Sequence, residues 1–97
     1  MCGAPKQGGT LAGIDLDTQT VIQGQVWHDG APVAGAYVRL LDATGEFTAE
    51  VVTSPEGEFR FFAAPGAWKV RSLAPVGKGE RTLSADVGLN ETTVVLD

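Results

Sequence analysis

Cys2 is the only cysteine in this 97-residue chain, and it sits in the segment CGAPKQG, ahead of a Gly-Gly pair at 8–9. A thiolate attacks sulfane sulfur, and a nearby cation favours the thiolate over the thiol. Lys6 stands four residues on, and Gly3 and its neighbours offer backbone N–H groups. Removal of Met1 would leave the Cys2 ammonium beside the thiol, with the same effect. No core can form around such a stretch, so it reads as a flexible arm. At ~3.3–3.6 Å per extended residue, eight residues reach ~25 Å. The arrangement suits Cys2 as a sulfur acceptor carried to a partner's active site, with Lys6 as thiolate stabiliser. The plain alternative is an exposed thiol with no chemistry.

Other reactive groups are sparse. His28 is the only histidine, and Asp29 follows it in a turn. An Asp can orient an imidazole as a base, and a Cys2–His28 pair would be a nucleophile with its base. A lone turn histidine is more often plain surface. One Cys and one His fall short of the three or four ligands zinc needs, and Asp15 with Asp17 read as solvated turn residues. No metal and no cofactor is expected. Glu56 and Glu58 flank a turn glycine and read as solubility groups. Arg60, Lys69 and Arg71 point outward on strands. They make either a small anion-binding patch or ordinary cross-strand ion pairs with Glu50 or Glu58.

The elements that position these groups follow from length and pattern. The chain suits one small domain, with a formal net charge of −5. Phosphate backbones and anionic lipid repel such a surface, so neither nucleic acid nor membrane is an expected partner. One cysteine makes no internal disulfide. No apolar run follows Met1 as in a secretory signal, and none approaches the ~20 residues of a membrane helix, so a cytoplasmic location is expected.

Residues 1–18 read as the arm, and residues 19–97 as a β-sandwich domain. From Thr20 the apolar residues alternate with period two. In TVIQGQVW, Ile22, Gly24 and Val26 share one face, and Val21, Gln23, Gln25 and Trp27 the other. Asp29-Gly30 makes a tight turn. Further strands are expected at AYVRLLD, FTAEVVTS, FRFF, AWKVRSLA, RTLSADV and TTVVLD, with GKG at 77–79 as a break and Gly88–Glu91 as the last connection. No window carries a helical apolar stripe. Seven short strands with a turn about every ten residues predict an all-β, Greek-key sandwich. The expected core is Ile22, Val26, Ala36, Val38, Leu40, Phe59, Phe61, Trp68, Val70, Leu83, Val94 and Leu96. Trp27, Tyr37, Leu41 and Phe62 fall on the outward side. If their strands adjoin, they form a partner-binding patch, unless Leu11, Ile14 and Leu16 of the arm cover it.

The pattern I-x-G-x-V, G-x-P-V-x-G-A-x-V-x-L, S-P-E-G-E-F-R-F and P-G-A-W-K-V resembles the carboxypeptidase-regulatory-like, transthyretin-like domains, which are seven-stranded sandwiches with adhesive, sugar-binding or structural roles. MCGAPKQG, RLLDATGEFTAEVV and GEFRFFAAPGAWKVR resemble more narrowly a small actinobacterial family of unknown function, the SseC-like proteins. Its members carry names as thiosulfate sulfurtransferases or sulfurtransferase-associated proteins. The resemblance implies a place in sulfur metabolism. A rhodanese-type sulfurtransferase cradles its persulfide in a loop between a strand and a helix. Cys2 has neither beside it. The expected function is therefore an accessory or sulfur-carrier protein acting with a separate sulfurtransferase through Cys2. The alternatives are a non-catalytic module that binds a protein or saccharide through Trp27, Tyr37 and Phe62, and an autonomous Cys-dependent sulfurtransferase.

Overall fold

The computed structural model describes residues 13–97, and within them there are eight strands and no helix. They are β1 (Thr20–His28), β2 (Ala31–Pro32), β3 (Tyr37–Leu41), β4 (Phe47–Val52), β5 (Glu58–Ala63), β6 (Gly66–Ala74), β7 (Gly77–Ala85) and β8 (Gly88–Val95). The first sheet is built on β1. It pairs antiparallel with β5 over Thr20–Gln25 and with β2 at Trp27 and His28. It pairs parallel with β8 over Thr20–Trp27. The second sheet has the order β4-β3-β6-β7 and is antiparallel throughout. The expected all-β sandwich is the architecture found.

The turns follow the local sequence. Asp29 (φ 52°) and Gly30 (φ 80°) both take the left-handed conformation, as a two-residue hairpin between β1 and β2 requires. In the β3–β4 turn the Asp42 carboxylate accepts bonds from the Thr44 hydroxyl at 2.6 Å, the Thr44 N–H at 2.9 Å and the Glu46 N–H at 3.0 Å. The Thr44 hydroxyl first, and then the backbone N–H groups, hold the Asp42 carboxyl below its ordinary value. Thr53 latches the loop before β3. Its hydroxyl accepts from the Ala36 N–H at 2.9 Å and donates to the Val33 carbonyl at 2.7 Å.

The core unites Ile22, Val26, Ala36, Val38, Leu40, Phe59, Phe61, Val70, Val94 and Leu96, as the alternation predicts, with Trp68 and Leu83 packed half-buried against it. The Phe59 and Phe61 rings lie 6.0 Å apart, tilted by 53°. Such a pair adds ~0.5–1.5 kcal/mol beyond the area it buries. Val51 joins the core because it stands opposite Val38, and Ala85 joins at the end of β7.

Several expectations need correction. Leu41 and Val21, predicted outward, are 4% and 0% exposed and stand outside the main cluster. At Leu41 the β3/β4 register shifts, which disturbs simple alternation. The two-residue β2 is an eighth strand that its length hid. GKG does not break the chain but opens β7, the turn being Pro75-Val76. Its glycines serve packing. A Cβ at Gly79 would lie 2.3 Å from the Val95 carbonyl oxygen, and one at Gly77 would lie 2.1 Å from that of Asp97. There the chain's end closes the sandwich: the Asp97 N–H donates to Lys78 O at 2.9 Å and the Leu96 N–H to Trp27 O at 2.8 Å. The last connection is Asp86-Val87, since β8 already starts at Gly88.

Gly24 is the tightest point of β1. A Cβ there would lie 1.6 Å from the Thr92 carbonyl oxygen of β8 and 3.1 Å from the Phe59 ring. Gly24→Ala is expected to cost about 3 kcal/mol or more in urea unfolding, because two backbones must part to admit the methyl group. Asp42→Asn is expected to lower the melting temperature at pH 7. A carboxyl with a depressed folded value stabilises above its unfolded value and loses that effect as pH falls through the folded one. The gap to the wild type should therefore close in acid, as thermal melts across pH would show.

Candidate functional site

Because side chains alternate across a strand, the outward residues of β8, β1 and β5 meet in rows. The register sets Leu89, Val21 and Phe62 in one row, in which Val21 itself is fully buried, Glu91, Gln23 and Arg60 in the next, and Thr93, Gln25 and Glu58 in a third. Beyond them Trp27 lies between Val95 of β8 and Pro32 of β2. The two polar rows line a groove of about 550 Å³, joined at its rim by Arg81 from β7.

The groove floor is held by its own bonds. Gln25 Nε2–H donates to the Glu56 carbonyl at 3.2 Å, and Gln25 Oε1 accepts from the Trp27 indole N–H at 3.2 Å. Arg60 Nε–H donates to Gln23 Oε1 at 3.1 Å. Arg81 Nε–H donates to the Thr93 carbonyl at 3.0 Å, reaching from the second sheet onto the edge of the first. Donors and acceptors thus stand side by side along the groove, with an aromatic residue beyond each end: Trp27, half-buried, and Phe62, 58% exposed.

The expected Trp27, Tyr37, Leu41 and Phe62 patch does not form. Trp27 and Phe62 belong to the first sheet, whereas Tyr37 and Leu41 belong to β3 of the second. The outer faces of a sandwich point in opposite directions, so strand alternation alone cannot say which outward residues are neighbours. Tyr37 instead stands opposite Leu73, both more than half exposed, beside a smaller hollow of about 320 Å³ lined also by Arg39, Glu50 and Arg71.

The expected basic patch divides in the same way. Arg60 is on the first sheet, and Lys69 and Arg71 are on the second, where Glu80 pairs with them at 3.3 and 3.8 Å. Glu50 pairs with Arg39 at 2.7 Å. The charges therefore serve cross-strand pairing, though with Glu80 as the main acid. Exposed pairs of this kind each contribute ~0–1 kcal/mol.

His28 is half-buried, with Nδ1 3.3 Å from the Leu96 carbonyl oxygen. With the proton placed on Nδ1 the ring donates there, and it ties the end of β1 to the chain's last residues. Asp29 turns into solvent, so no His-Asp pair is built. Asp15 accepts from the Asp17 N–H at 2.9 Å through its own carboxylate, a local turn. Among the described residues, no group of three or more His, Cys, Asp or Glu is placed to hold a metal. Ile14 and Leu16 are half-buried, and the Leu16 carbonyl oxygen lies 3.7 Å from where a Gly88 Cβ would stand. Cys2, Gly3, Lys6 and Leu11 lie outside the described residues.

The alternation places Gln23, Gln25 and Trp27 together on the outer face of β1, and of these only Trp27 was expected to bind a partner; Gln23 and Gln25 were given no role. It misses Glu91, Thr93 and Arg81 entirely. The available signal was a pair of amides alternating with core residues on a glycine-centred strand. The partners across it depend on register with β8, sixty-eight positions away at Thr20↔Gly88.

A family model described as a protein of unknown function, DUF1416, matches residues 2–96. Two uncharacterized proteins of Mycobacterium tuberculosis, Rv0814c and Rv3118, are each 53% identical over 97 residues, covering 97% of this chain and of their own. An uncharacterized protein of Mycolicibacterium smegmatis is 53% identical over 85 residues, covering 86% of this chain and 94% of its own. Among solved structures, a DUF3823 family protein from Parabacteroides merdae aligns with TM-score 0.66 at 13% identity, over 81% of this chain and 46% of that one. The dioxygenase domain of a dioxygenase carbohydrate-binding protein fusion from Streptomyces sp. SirexAA-E aligns with TM-score 0.58 at 14% identity, over 99% and 90%. These two likenesses bear on the fold alone. The mycobacterial relatives agree with the actinobacterial resemblance, and the descriptions name no sulfurtransferase.

Proposed function

Since the chain belongs to the DUF1416 family, whose description names no activity, we propose a function from its geometry: a non-catalytic binding module acting through the outer face of the β8-β1-β5 sheet. One observation carries this reading. The groove brings two amides, two carboxylates, an outward hydroxyl and two guanidinium groups together on one sheet face. Gln23, Gln25, Arg60 and Arg81 are already held by hydrogen bonds, and groups locked before a ligand arrives lose little entropy when it binds. Nothing in the groove forms a nucleophile–base pair, which a covalent mechanism would need.

The test is a titration of the ¹⁵N-labelled full chain with a pool of neutral oligosaccharides and, separately, with a pool of short peptides. The binding reading expects amide shifts centred on Gln23, Gln25, Glu58 and Thr93 with one of the pools. Shifts confined to the Tyr37 and Leu73 face, or none with either pool, would overturn it.

A second reading keeps the sulfur chemistry, favoured by the family match beginning at Cys2, so that the matched module takes in the chain's only thiol. Here the chain is an accessory carrier in the cytoplasm, and its partner is a separate sulfurtransferase loaded from thiosulfate. The Cys2 thiolate attacks the terminal sulfur of the partner's persulfide. The bond between the partner's two sulfurs breaks, its thiolate leaves, and Cys2 becomes the persulfide, with no net redox change. Intact mass after incubation with a thiosulfate-loaded sulfurtransferase should show a gain of ~32 Da, one sulfur atom, absent in Cys2→Ser. An unchanged mass rejects the carrier. Thiocyanate formed from thiosulfate and cyanide by this chain alone would instead show an autonomous enzyme.

A further inference from the structure

We infer that the ligand of the groove is a neutral, linear oligosaccharide laid along β1 between Phe62 and Trp27. The inference rests on the binding-module reading and adds the ligand's class. Glu58 and Glu91 balance Arg60 and Arg81, so the lining carries no formal net charge. An anionic ligand would meet two carboxylates, and a cationic one two guanidinium groups. The chain's net charge of −5 further disfavours a polyanion.

Sugar hydroxyls both donate and accept, and they match a surface where carboxylate and amide oxygens alternate with N–H groups. Arg81 spends one of its five N–H donors on Thr93 O, which leaves capacity for a ligand. An extended peptide binds most readily to an open strand edge, where its main chain finds partners, whereas this groove lies on a sheet face between paired strands.

Length and ends agree with this ligand. Phe62 stands opposite Val21, six residues from Trp27 along β1. At ~3.3 Å per residue that is ~20 Å, the length of about four sugar rings in a row. Phe62 and Trp27 flank this span, and aromatic rings offer apolar faces to the C–H faces of pyranoses. Gln25 fixes the Trp27 indole through its N–H, so the far ring is set before binding.

The experiment titrates the ¹⁵N-labelled full chain with three neutral linear tetrasaccharides, of β-1,4-, α-1,4- and β-1,3-linked glucose. At least one is expected to bind with Kd below ~1 mM and to shift the amides of Gln23 and Gln25. Glucose alone should bind at least ~10-fold more weakly, since it covers about a quarter of the span between Phe62 and Trp27. Phe62→Ala should weaken the tetrasaccharide ~2–10-fold, the range of one aromatic contact. Its side chain is mostly exposed, so the variant is expected to fold. Tyr37→Ala, on the opposite face, should change nothing. Binding by none of the three, or binding untouched by Phe62→Ala and Gln25→Ala together, overturns the inference. If peptides shift the groove amides while tetrasaccharides do not, the ligand class is wrong and the binding module stands. If neither does, both fall.

Discussion

The close approach of β1 and β8 at Gly24 is the constraint on which the rest of the structure depends. Among the described residues β1 is the only strand with three partners, and its parallel pairing with β8 joins the start of the sandwich to its end. The approach leaves no room for a side chain beside the Thr92 carbonyl. Once that spacing is set, the alternation of β1 does two jobs. Ile22 and Val26 enter the core, while Gln23 and Gln25 floor the groove and Trp27 stands beyond it. A slip of one residue would exchange the two sets, so core and groove share one register.

The closing corner repeats the same physics with different residues. Gly77 and Gly79 let the last residues lie against β7, and His28 and Trp27 hold them through Leu96. This explains why Arg81, a residue of the second sheet, reaches the groove of the first. Charged pairs on the second sheet, Arg39–Glu50 and the Glu80 pairs, are solvent-exposed and add little stability. Small domains have thin margins, and here the margin rests on the packed aliphatic and phenylalanine core.

Much of the fold was legible because β-strands announce themselves with period two and with turn residues. Asp29-Gly30 and the Phe59/Phe61 face follow from local chemistry alone. What was not legible is pairing. Tyr37 and Trp27 look alike in a strand pattern, yet they belong to opposite outer faces. Arg60 and Arg71 look like one patch and lie on different sheets. The groove needs Glu91 beside Gln23 beside Arg60, a juxtaposition that long-range register decides. Gly77 and Gly79 read as a break, because glycine signals both a turn and a close backbone contact.

The proposed binding surface is the face that this register builds, and Cys2 is the subject of a separate chemical test. A sheet face with a neutral, hydrogen-bonding floor and an aromatic residue beyond each end is a platform for an extended polar chain. The most direct measurement is a crystal structure of the full chain grown with the tetrasaccharide that shifts its groove amides most. The account predicts a sugar chain lying along β1, with its outer rings against Phe62 and Trp27 and its hydroxyls bonded to Gln23, Glu91 or Arg81. A sugar bound instead over Tyr37 and Leu73 would contradict it.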